Sequence, residues 1–254
     1  MPAELASKLR STLEKPVIPY QGSDASKKQQ VTEMFDNIAP KYDLLNHTLT
    51  LGIDFLWRRK AIKLLKPYQP QLVVDIATGT ADFAIEAKSL SPEKIIGIDI
   101  SPQMLAVGRE KISEKKLSEL IELREGDSEN LALETNSVDA ITVGFGVRNF
   151  ENLEKGLAEM LRVLRPGKAA VILEPSYPTR FPMKQLFNFY FRRLTPLIGR
   201  LVSGDGSAYT YLGDSVKAFP QGKAFTDICL KVGYKRAKYV PLTFGICSLY
   251  LLEK

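Results

Sequence analysis

The chain has little of what builds disulfide scaffolds or metal clusters: its 254 residues include two cysteines and one histidine. Two cysteines cannot form a disulfide framework, and the apolar neighbours of Cys229 and Cys247 predict buried, reduced thiols. No set of cysteines and histidines has metal-ligand spacing, so we expect no metal cofactor. Candidate functional groups are therefore carboxylates, hydroxyls and guanidinium groups.

Long hydrophobic runs are also missing. No apolar stretch approaches the ~18 residues that a membrane-spanning helix requires. The N-terminal residues lack the apolar run of a secretory signal. We expect a cytoplasmic protein that touches the inner face of a membrane only peripherally.

Positive charge is concentrated in one part of the chain. Lys and Arg number 35 and Asp and Glu 29, which gives a net charge of +6. Between Arg180 and Val240 there are 11 basic and 3 acidic residues, and the rest is slightly acidic. This distribution predicts one basic surface rather than a uniformly basic nucleic-acid binder, and it is equally compatible with a solvated face.

Short apolar runs alternate with amphipathic stretches after residue 66. Five such runs predict buried strands, and a short link joins two further strands at the C-terminal end as an antiparallel hairpin. The predicted strands are 72–75, 94–100, 120–127, 137–145, 168–175, 234–240 and 246–252. The expected fold is therefore α/β, a doubly wound, seven-stranded, mostly parallel sheet with an antiparallel C-terminal hairpin.

One domain accounts for most of the chain. Residues 1–30 are polar and predict an N-terminal extension. Residues 31–254 form the domain, with a helical cover over 31–66 and an aromatic, basic insertion at about 176–220.

The turn after the first strand and the end of the second strand predict a cofactor site, because ligands of doubly wound sheets bind at the carboxyl ends of strands. Gly79 can take a positive φ, and Asp99 follows it by 20 residues, the spacing of a ribose-binding carboxylate. A GxGxxG motif is missing, and Asp75 and Asp82 make the turn acidic, which disfavours a pyrophosphate and NAD. An acidic turn suits S-adenosylmethionine, whose sulfonium and ammonium are cationic. The alternative is that Asp75 only caps the turn and Asp99 is a solvated strand end.

The third strand adds two polar candidates. Asp127 can accept the exocyclic amine of adenine, and Ser128 can support the edge of the ring. The tetrapeptides NPPY and DPPY, by which enzymes that methylate base nitrogens hold their target, do not occur. The sequence therefore argues against an enzyme that methylates an exocyclic nitrogen of a nucleic-acid base.

The chain resembles the ubiquinone/menaquinone biosynthesis C-methyltransferases from about Val31 to its C-terminus. The resemblance is carried by four segments: FDNIAPKYDLLNHTLTLGIDFLWRR (35–59), FGVRNF (145–150), EMLRVLRPG (159–167) and YTYLGDSVKAFP (209–220). It implies the class I S-adenosylmethionine-dependent methyltransferase fold. It also implies methyl transfer to a ring carbon of a polyprenylated quinol, first of all demethylmenaquinol, in respiratory quinone biosynthesis. By position in the family's motifs, the cofactor contacts fall on Thr80, Asp99, Asp127 and Ser128.

Three side chains are candidates for activating such a quinol, whose ring carbon becomes nucleophilic when the neighbouring hydroxyl loses its proton. Arg148 follows the fourth strand and can hold a phenolate, unless it only pairs with a nearby carboxylate. Tyr42 and His47 lie on the predicted cover, and His47 is the sole histidine available as a base. A structural role for His47 is the alternative.

The insertion combines aromatic and basic residues, and we expect it to be an amphipathic stretch that packs on the core. It also predicts a hydrophobic passage for an isoprenoid tail, docked on an anionic membrane surface. Its apolar members are Phe181, Leu186, Phe187, Phe189, Tyr190, Phe191, Leu194 and Leu197, interleaved with Arg192, Arg193 and Arg200.

Other functions stay open at this point. A methyltransferase of another small substrate or of RNA would have the same cofactor turn. RNA binding requires exposed aromatic residues along a basic groove, whereas the aromatic residues here stand in a densely apolar stretch, so we expect no nucleic-acid partner. A non-catalytic cofactor-binding module is a further alternative, because fold does not determine function. Homo-oligomer formation and the choice between naphthoquinol and benzoquinol are left open.

Overall fold

One seven-stranded sheet organises the molecule in the computed structural model, which describes residues 17–178, 181–189 and 206–254. The strand order is β3-β2-β1-β4-β5-β7-β6. The strands are β1 (Leu72–Ile76), β2 (Lys94–Asp99), β3 (Ile121–Glu125), β4 (Val138–Gly144), β5 (Leu164–Pro175), β6 (Arg236–Leu242) and β7 (Cys247–Glu253).

The pairing confirms the predicted architecture. Strands β1 to β5 pair in parallel, and β7 runs antiparallel to both β5 and β6. A short 3₁₀ turn, Thr243–Gly245, joins the closing hairpin. Parallel strands place their carboxyl ends at one edge of the sheet, and the order reverses between β1 and β4, where a ligand crevice forms.

Helices cover both faces of the sheet and the carboxyl edge. They are α1 (Lys27–Ile38), α2 (Tyr42–Leu49), α3 (Ile53–Leu65), α4 (Asp82–Ala87), α5 (Pro102–Glu114), α6 (Leu153–Val163), α7 (Met183–Phe189), α8 (Gly206–Ala218) and α9 (Lys223–Val232). Among the described residues, none of the helices has both the length and the apolarity to cross a bilayer.

The first helix begins earlier than its apolar pattern predicts, at Lys27 rather than Val31. The reason is a capping box, in which the Ser26 hydroxyl accepts the backbone N–H of Gln29 and the Gln29 side chain accepts the N–H of Ser26. This reciprocal pair satisfies amides that the first turn leaves free. Two lysines, Lys27 and Lys28, are thereby brought onto the helix that covers the sheet edge.

A second boundary also differs from the prediction. Helix α6 ends at Val163, and β5 starts at Leu164 instead of Lys168. Leu164 already pairs with Val138, and the register then shifts so that Ala169 pairs with Ala140. Residues 165–168 therefore bulge from the strand, which accommodates the positive φ of Gly167.

The core has three parts. One cluster lies under α6 and α9 on one face of the sheet, and a second lies under α3, α4 and α5 on the other face. Cys229 and Cys247 belong to these clusters as free, fully buried thiols, as predicted. A third, small cluster joins the covering helices to α8 through Val31, Met34, Leu45 and Tyr211.

Candidate active site

Two adjacent cavities lie at the carboxyl edge of the sheet. The smaller measures about 80 Å³ and the larger about 470 Å³. Three aromatic side chains, Phe35, Tyr42 and Phe145, line both cavities, which therefore adjoin at this shared wall. Covering helices α1 and α2 supply two of the three, so the predicted cover lies over the site.

The smaller cavity has a polar floor made by loops. It is lined by backbone from three glycine-containing turns and by the carboxylates at the ends of β2 and β3. Its lining includes Gly79, Asp99, Gly126, Asp127, Ser128, Gly144 and Gly146. Four of the six residues predicted to bind the cofactor therefore meet here: Gly79, Asp99, Asp127 and Ser128.

The turn after β1 is held directly by the acid at the end of β2. Gly79 has the predicted positive φ, 54°, and its N–H donates to Oδ2 of Asp99 at 2.7 Å. The backbone N–H of Ser101 donates to Oδ1 of the same carboxylate at 2.9 Å. Burial raises the pKa of Asp99, and these backbone hydrogen bonds oppose the shift. The 20-residue spacing seen in the sequence thus corresponds to a direct contact between the turn after β1 and the carboxyl end of β2.

Asp127 contacts the cover as well as the cavity. Its Oδ1 accepts the backbone N–H of Glu129, and its Oδ2 accepts the ammonium of Lys28 at 2.7 Å. Burial opposes ionisation of Asp127, but the hydrogen bond from Lys28 holds its pKa below the usual value. Helix α1 is therefore tied to the floor of the smaller cavity by an ion pair.

The other two predicted cofactor residues have different positions. Asp75 is fully buried and lines neither cavity, because its carboxylate accepts the hydroxyls of Thr78 and Thr142 and the N–H of Ala84. Burial raises its pKa to about 6. Thr80 is also buried and donates to Asp43 of α2. Asp75 supports the turn from within, and Thr80 joins the turn to the cover.

An ion network fastens the cover to the sheet. Lys111 of α5 binds both Asp43 of α2 and Asp82 of α4, and Arg58 lies 3.6 Å from Asp82. The charge of Asp82 is therefore compensated, so Asp82 does not make the turn acidic toward a ligand. Asp43, His47 and Asp82 stand close enough to bind a metal ion, but the Lys111 ammonium binds both carboxylates.

His47 belongs to this network and not to a cavity wall. Its Nδ1 lies 2.9 Å from Oδ2 of Asp54, and its Nε2 lies 3.4 Å from Oδ2 of Asp82. Its ring stacks on Phe55 with centroids 4.4 Å apart. Both ring nitrogens thus face carboxylates, which corresponds to the structural alternative for this residue.

The larger cavity is mostly apolar and lies between the cover, α7, α8 and the closing hairpin. Trp57 fixes one side, and its Nε1 donates to the Thr243 hydroxyl at 2.8 Å. The apolar lining comprises Met34, Phe35, Ile38, Leu45, Leu49, Leu51, Ile53, Trp57, Phe145, Pro175, Met183, Leu186, Phe187, Phe189, Leu212 and Ile246. Its volume lies within the ~300–1,000 Å³ typical of small-molecule sites.

Arg148 is a polar group in this apolar lining. Its side chain is 7% exposed, and its Nη1 donates to Oε2 of Glu174 at 3.0 Å and to the carbonyl of Phe145. The guanidinium pairs with a carboxylate, as the structural interpretation of Arg148 expects, and Arg148 also lines the cavity, as the functional interpretation expects. Its buried Nε–H has no hydrogen-bond acceptor in the described part of the chain. A buried unsatisfied donor of this kind costs ~1–3 kcal/mol unless a ligand atom accepts it.

Two tyrosines flank Arg148. Burial raises the pKa of Tyr42, although Arg148 and a hydrogen bond with Asn46 act in the opposite direction. Burial raises the pKa of Tyr211 to about 12, and its hydroxyl donates to Oδ1 of Asn149 at 3.1 Å. Both hydroxyls therefore stay protonated near neutral pH and act as hydrogen-bonding groups.

The predicted hydrophobic insertion contributes in part. Leu186, Phe187 and Phe189 of α7 line the larger cavity, and Phe181 is exposed beside them in the chain. The remaining members named from the sequence, Tyr190, Phe191, Arg192, Arg193, Leu194, Leu197 and Arg200, lie outside the described residues.

Sequence reasoning missed several polar groups of the site. Glu174 stands at the carboxyl end of β5, as Asp99 stands at the end of β2, so the strand-end rule could have singled it out. Lys28 and Lys111 had no such signal, because their partners are far away in the chain.

S-adenosylmethionine, the cofactor expected from the turn, fits the residues at the smaller cavity. Asp99 and Asp127 supply carboxylate acceptors for hydroxyl and amine donors, and Gly79 lets the backbone approach closely. No basic side chain stands on the turn itself, residues 77–82, which is unsuited to a pyrophosphate.

Known proteins share both sequence and fold with this chain. A model of the ubiE/COQ5 methyltransferase family matches residues 23–254. The demethylmenaquinone methyltransferase of Bacteroides fragilis is 54% identical over 93% of this chain and 96% of its own length. The ubiquinone/menaquinone biosynthesis C-methyltransferase UbiE of Geobacter sulfurreducens is 40% identical over 90% of each chain. The crystal structure of a SAM-dependent methyltransferase from Aquifex aeolicus is 18% identical, covers 76% of this chain and 88% of its own, and superposes with a TM-score of 0.54, which supports the fold. The chain belongs to the ubiE/COQ5 methyltransferase family.

Proposed function

We propose that this protein transfers a methyl group from S-adenosylmethionine to a ring carbon of demethylmenaquinol. The main support is the apolar cavity of about 470 Å³, which shares the wall of Phe35, Tyr42 and Phe145 with the polar, glycine-lined cavity. Ligands bound in the two cavities would come into direct contact where these three side chains line both. The name of the Bacteroides relative supports demethylmenaquinol as the acceptor.

The residues around the smaller cavity would hold the methyl donor. Because this cavity measures about 80 Å³, below the ~300–1,000 Å³ typical of small-molecule sites, helix α1 would move away from the sheet edge to admit the donor. Asp99 would accept the ribose hydroxyls, and Asp127 and Ser128 would hold the adenine edge. When bound, S-adenosylmethionine supplies an electrophilic methyl group on a sulfonium. Asp75 keeps the backbone of the turn in place from beneath, and Thr80 connects the turn to the cover through Asp43.

Arg148 would activate the acceptor. Its guanidinium, which lines the larger cavity, can donate to the ring oxygen of the quinol, and its positive charge favours the ionised form of that oxygen. The phenolate would push electron density onto the neighbouring ring carbon, which would take the methyl group as the bond between that methyl and the sulfonium breaks and leaves a neutral thioether. The ring carbon would then lose its proton, which passes to solvent, and the ring would become aromatic again. Tyr42 and the apolar lining exclude water from this step. We assign no base function to His47, because both its ring nitrogens face carboxylates.

A labelled-methyl assay tests this function. The enzyme is given S-adenosylmethionine with labelled methyl and either demethylmenaquinol or a demethylated benzoquinol, each kept reduced with dithionite. Label in the naphthoquinone product supports the proposal, label in the benzoquinone product would extend the acceptor range, and no label in either would refute it. The benzoquinol arm is included because the Geobacter relative is named for both quinones.

The same assay measures the contribution of Arg148. We expect Arg148→Lys to lower kcat by ~10²-fold, because a lysine ammonium cannot bind Glu174 and also present the planar set of N–H donors of a guanidinium to the quinol oxygen. Arg165→Lys is the matched control, since Arg165 pairs with Asp139 away from both cavities. Equal turnover in the two variants would contradict the role of Arg148.

We further propose that the opening of the larger cavity rests on a lipid bilayer at the inner face of the membrane. Four apolar residues carry this proposal and are called the mouth residues: Leu51, Leu186, Phe189 and Phe244. They are 85%, 57%, 60% and 82% exposed, and all but Phe244 also line the cavity. Phe244 follows Thr243, which lines it. Exposed apolar groups that continue into an apolar cavity are typical of a surface from which a lipid substrate is taken.

Vesicle co-sedimentation tests the docking. We expect the double variant Leu186→Gln/Phe189→Gln to bind vesicles about tenfold more weakly than the wild type, because two apolar side chains no longer enter the bilayer. Leu230→Gln is the control, since Leu230 is exposed on α9 and lines neither cavity. Vesicles of neutral and of anionic lipid separate the apolar from the electrostatic part. Equal binding by the three proteins would refute the surface.

A further inference from the structure

Glu174 shapes the environment of Arg148 more directly than any other described residue. It is fully buried at the end of β5, and its Oε2 accepts Nη1 of Arg148 while its Oε1 accepts the Arg148 backbone N–H at 3.3 Å. One carboxylate therefore fixes both the main chain and one arm of the guanidinium. The Phe145 carbonyl accepts the same Nη1.

This fixation holds the guanidinium in one orientation. With Nη1 engaged twice, the guanidinium cannot turn without breaking a buried ion pair, and the buried Nε–H stays without an acceptor. Breaking such a pair is strongly unfavourable, because it leaves an uncompensated charge in an apolar interior. The orientation of Arg148 toward the cavity is therefore set by Glu174 and not by Arg148 itself.

Among the residues that the structure describes, few other ionisable groups surround the pair. Tyr42, Tyr211, Cys247 and Tyr250 are held neutral near pH 7 by burial, which raises the pKa of each. Two cations stand on helices near the pair. Lys27 of α1 interacts electrostatically with Arg148, and Arg58 of α3 with Tyr42 and Cys247. Glu174 is thus the carboxylate in direct contact with Arg148. Burial raises the pKa of Glu174, Arg148 opposes that shift, and the negative charge of the carboxylate offsets the positive charge that faces the cavity.

We propose that Glu174 is a positioning residue that holds the Arg148 guanidinium toward the quinol oxygen and, through its charge, sets the pH at which that oxygen ionises. This inference rests on the proposed function. Glu174 touches neither ligand in this assignment and acts only through Arg148. It predicts a pH effect with a definite sign, which a purely structural residue would not produce.

The test is the pH dependence of kcat for the wild type, Glu174→Gln and Glu174→Asp. Glutamine keeps an acceptor for Arg148 but removes the negative charge, so the positive field at the quinol oxygen increases. We expect the rising limb of the profile to move to lower pH by about one unit, with kcat at the optimum reduced about tenfold and KM within about twofold. Aspartate keeps the charge but is shorter, so we expect a reduced kcat with an unshifted limb. An unshifted limb in Glu174→Gln would overturn the proposal.

A double-mutant cycle covers the case in which Glu174→Gln alone folds poorly. Glu174→Asp is measured in the wild type and in Arg148→Lys. If Glu174 acts through Arg148, its substitution should lower kcat much less in the lysine background, whereas additive losses would overturn the proposal. Calorimetric affinity for S-adenosylmethionine should stay within about twofold throughout, and a large loss of affinity would also count against it. If the wild type methylates no quinol, the proposed function fails, and that result is distinct from either outcome for Glu174.

Discussion

Each of the two cavities depends on one fully buried carboxylate, and the two carboxylates are stabilised in different ways. Asp75, under the turn of the smaller cavity, receives two hydroxyls and one backbone N–H. Glu174, under the larger cavity, receives the cationic guanidinium of Arg148. Neutral donors use up the hydrogen-bonding capacity of Asp75 and build a rigid turn. The cation beside Glu174 keeps a further donor free, which makes the second arrangement suited to chemistry.

The largest expected effect is on the pH dependence of the free energy of unfolding, and it tests the role of Asp75 in this comparison. Its pKa is about 6 in the folded protein against 3.8 for an ordinary aspartate, so the unfolded state ionises first as pH rises. The contribution of Asp75 to the free energy of unfolding is complete below pH 4. It is lost as pH rises toward about 6, by about 3 kcal/mol in total. We expect Asp75→Asn to lack this loss, because asparagine stays neutral and has nearly the same shape. Urea unfolding of both proteins from pH 4 to 7 measures the difference, and two parallel stability curves would contradict the assignment.

The second prediction concerns the polar cavity alone. Asp99→Ala removes the acceptor of two ligand hydroxyls and of the Gly79 N–H, so we expect the Kd for S-adenosylmethionine to rise on the order of 100-fold. Affinity for the quinol should stay within about twofold. Calorimetry decides this, with Glu125→Ala as control, since Glu125 pairs with Asp99 in the sheet but is exposed and lines neither cavity. Equal affinities in the two variants would remove Asp99 from the site.

A third prediction uses the shared wall to sharpen the distinction between the cavities. Phe145 lines both of them, whereas Trp57 lines the larger alone. We expect Phe145→Leu to weaken the binding of both ligands about fivefold and Trp57→Phe to weaken only the quinol by a similar factor. Separate binding titrations with each ligand test this. A Phe145 variant that affects a single ligand would show that the two ligands do not meet at this wall.

The smallest effect concerns the ion pair that ties the cover to the smaller cavity. The ammonium of Lys28 binds the Asp127 carboxylate, which the adenine amine would otherwise use. We expect Lys28→Ala to raise affinity for S-adenosylmethionine by up to about fivefold, because partly exposed ion pairs contribute at most ~1 kcal/mol. Lys28→Arg keeps the pair and serves as the control. Unchanged or weaker binding in Lys28→Ala would show that Lys28 does not compete with the ligand.

The sheet and the polar cavity were the most predictable parts of the molecule. Buried parallel strands appear in the sequence as short apolar runs, and their carboxyl ends must meet at one edge, so Gly79, Asp99, Asp127 and Ser128 could be grouped in advance. The same local rule did not predict the role of Asp75, because a strand-end carboxylate can face either the ligand or the interior. Packing turned it inward, where two hydroxyls bind it.

The sequence by itself determined the order of strands and helices, the buried cysteines and the family, since these depend on local periodicity and on motifs that are continuous in the chain. Only the tertiary structure decided which charges meet. Arg148 and Glu174 are 26 residues apart, Asp43 and Lys111 are 68 apart, and Lys28 and Asp127 are 99 apart. No local pattern encodes such pairs. For Asp127, burial opposes ionisation and the Lys28 ammonium lowers the pKa, and both effects exist only once the cover closes on the sheet.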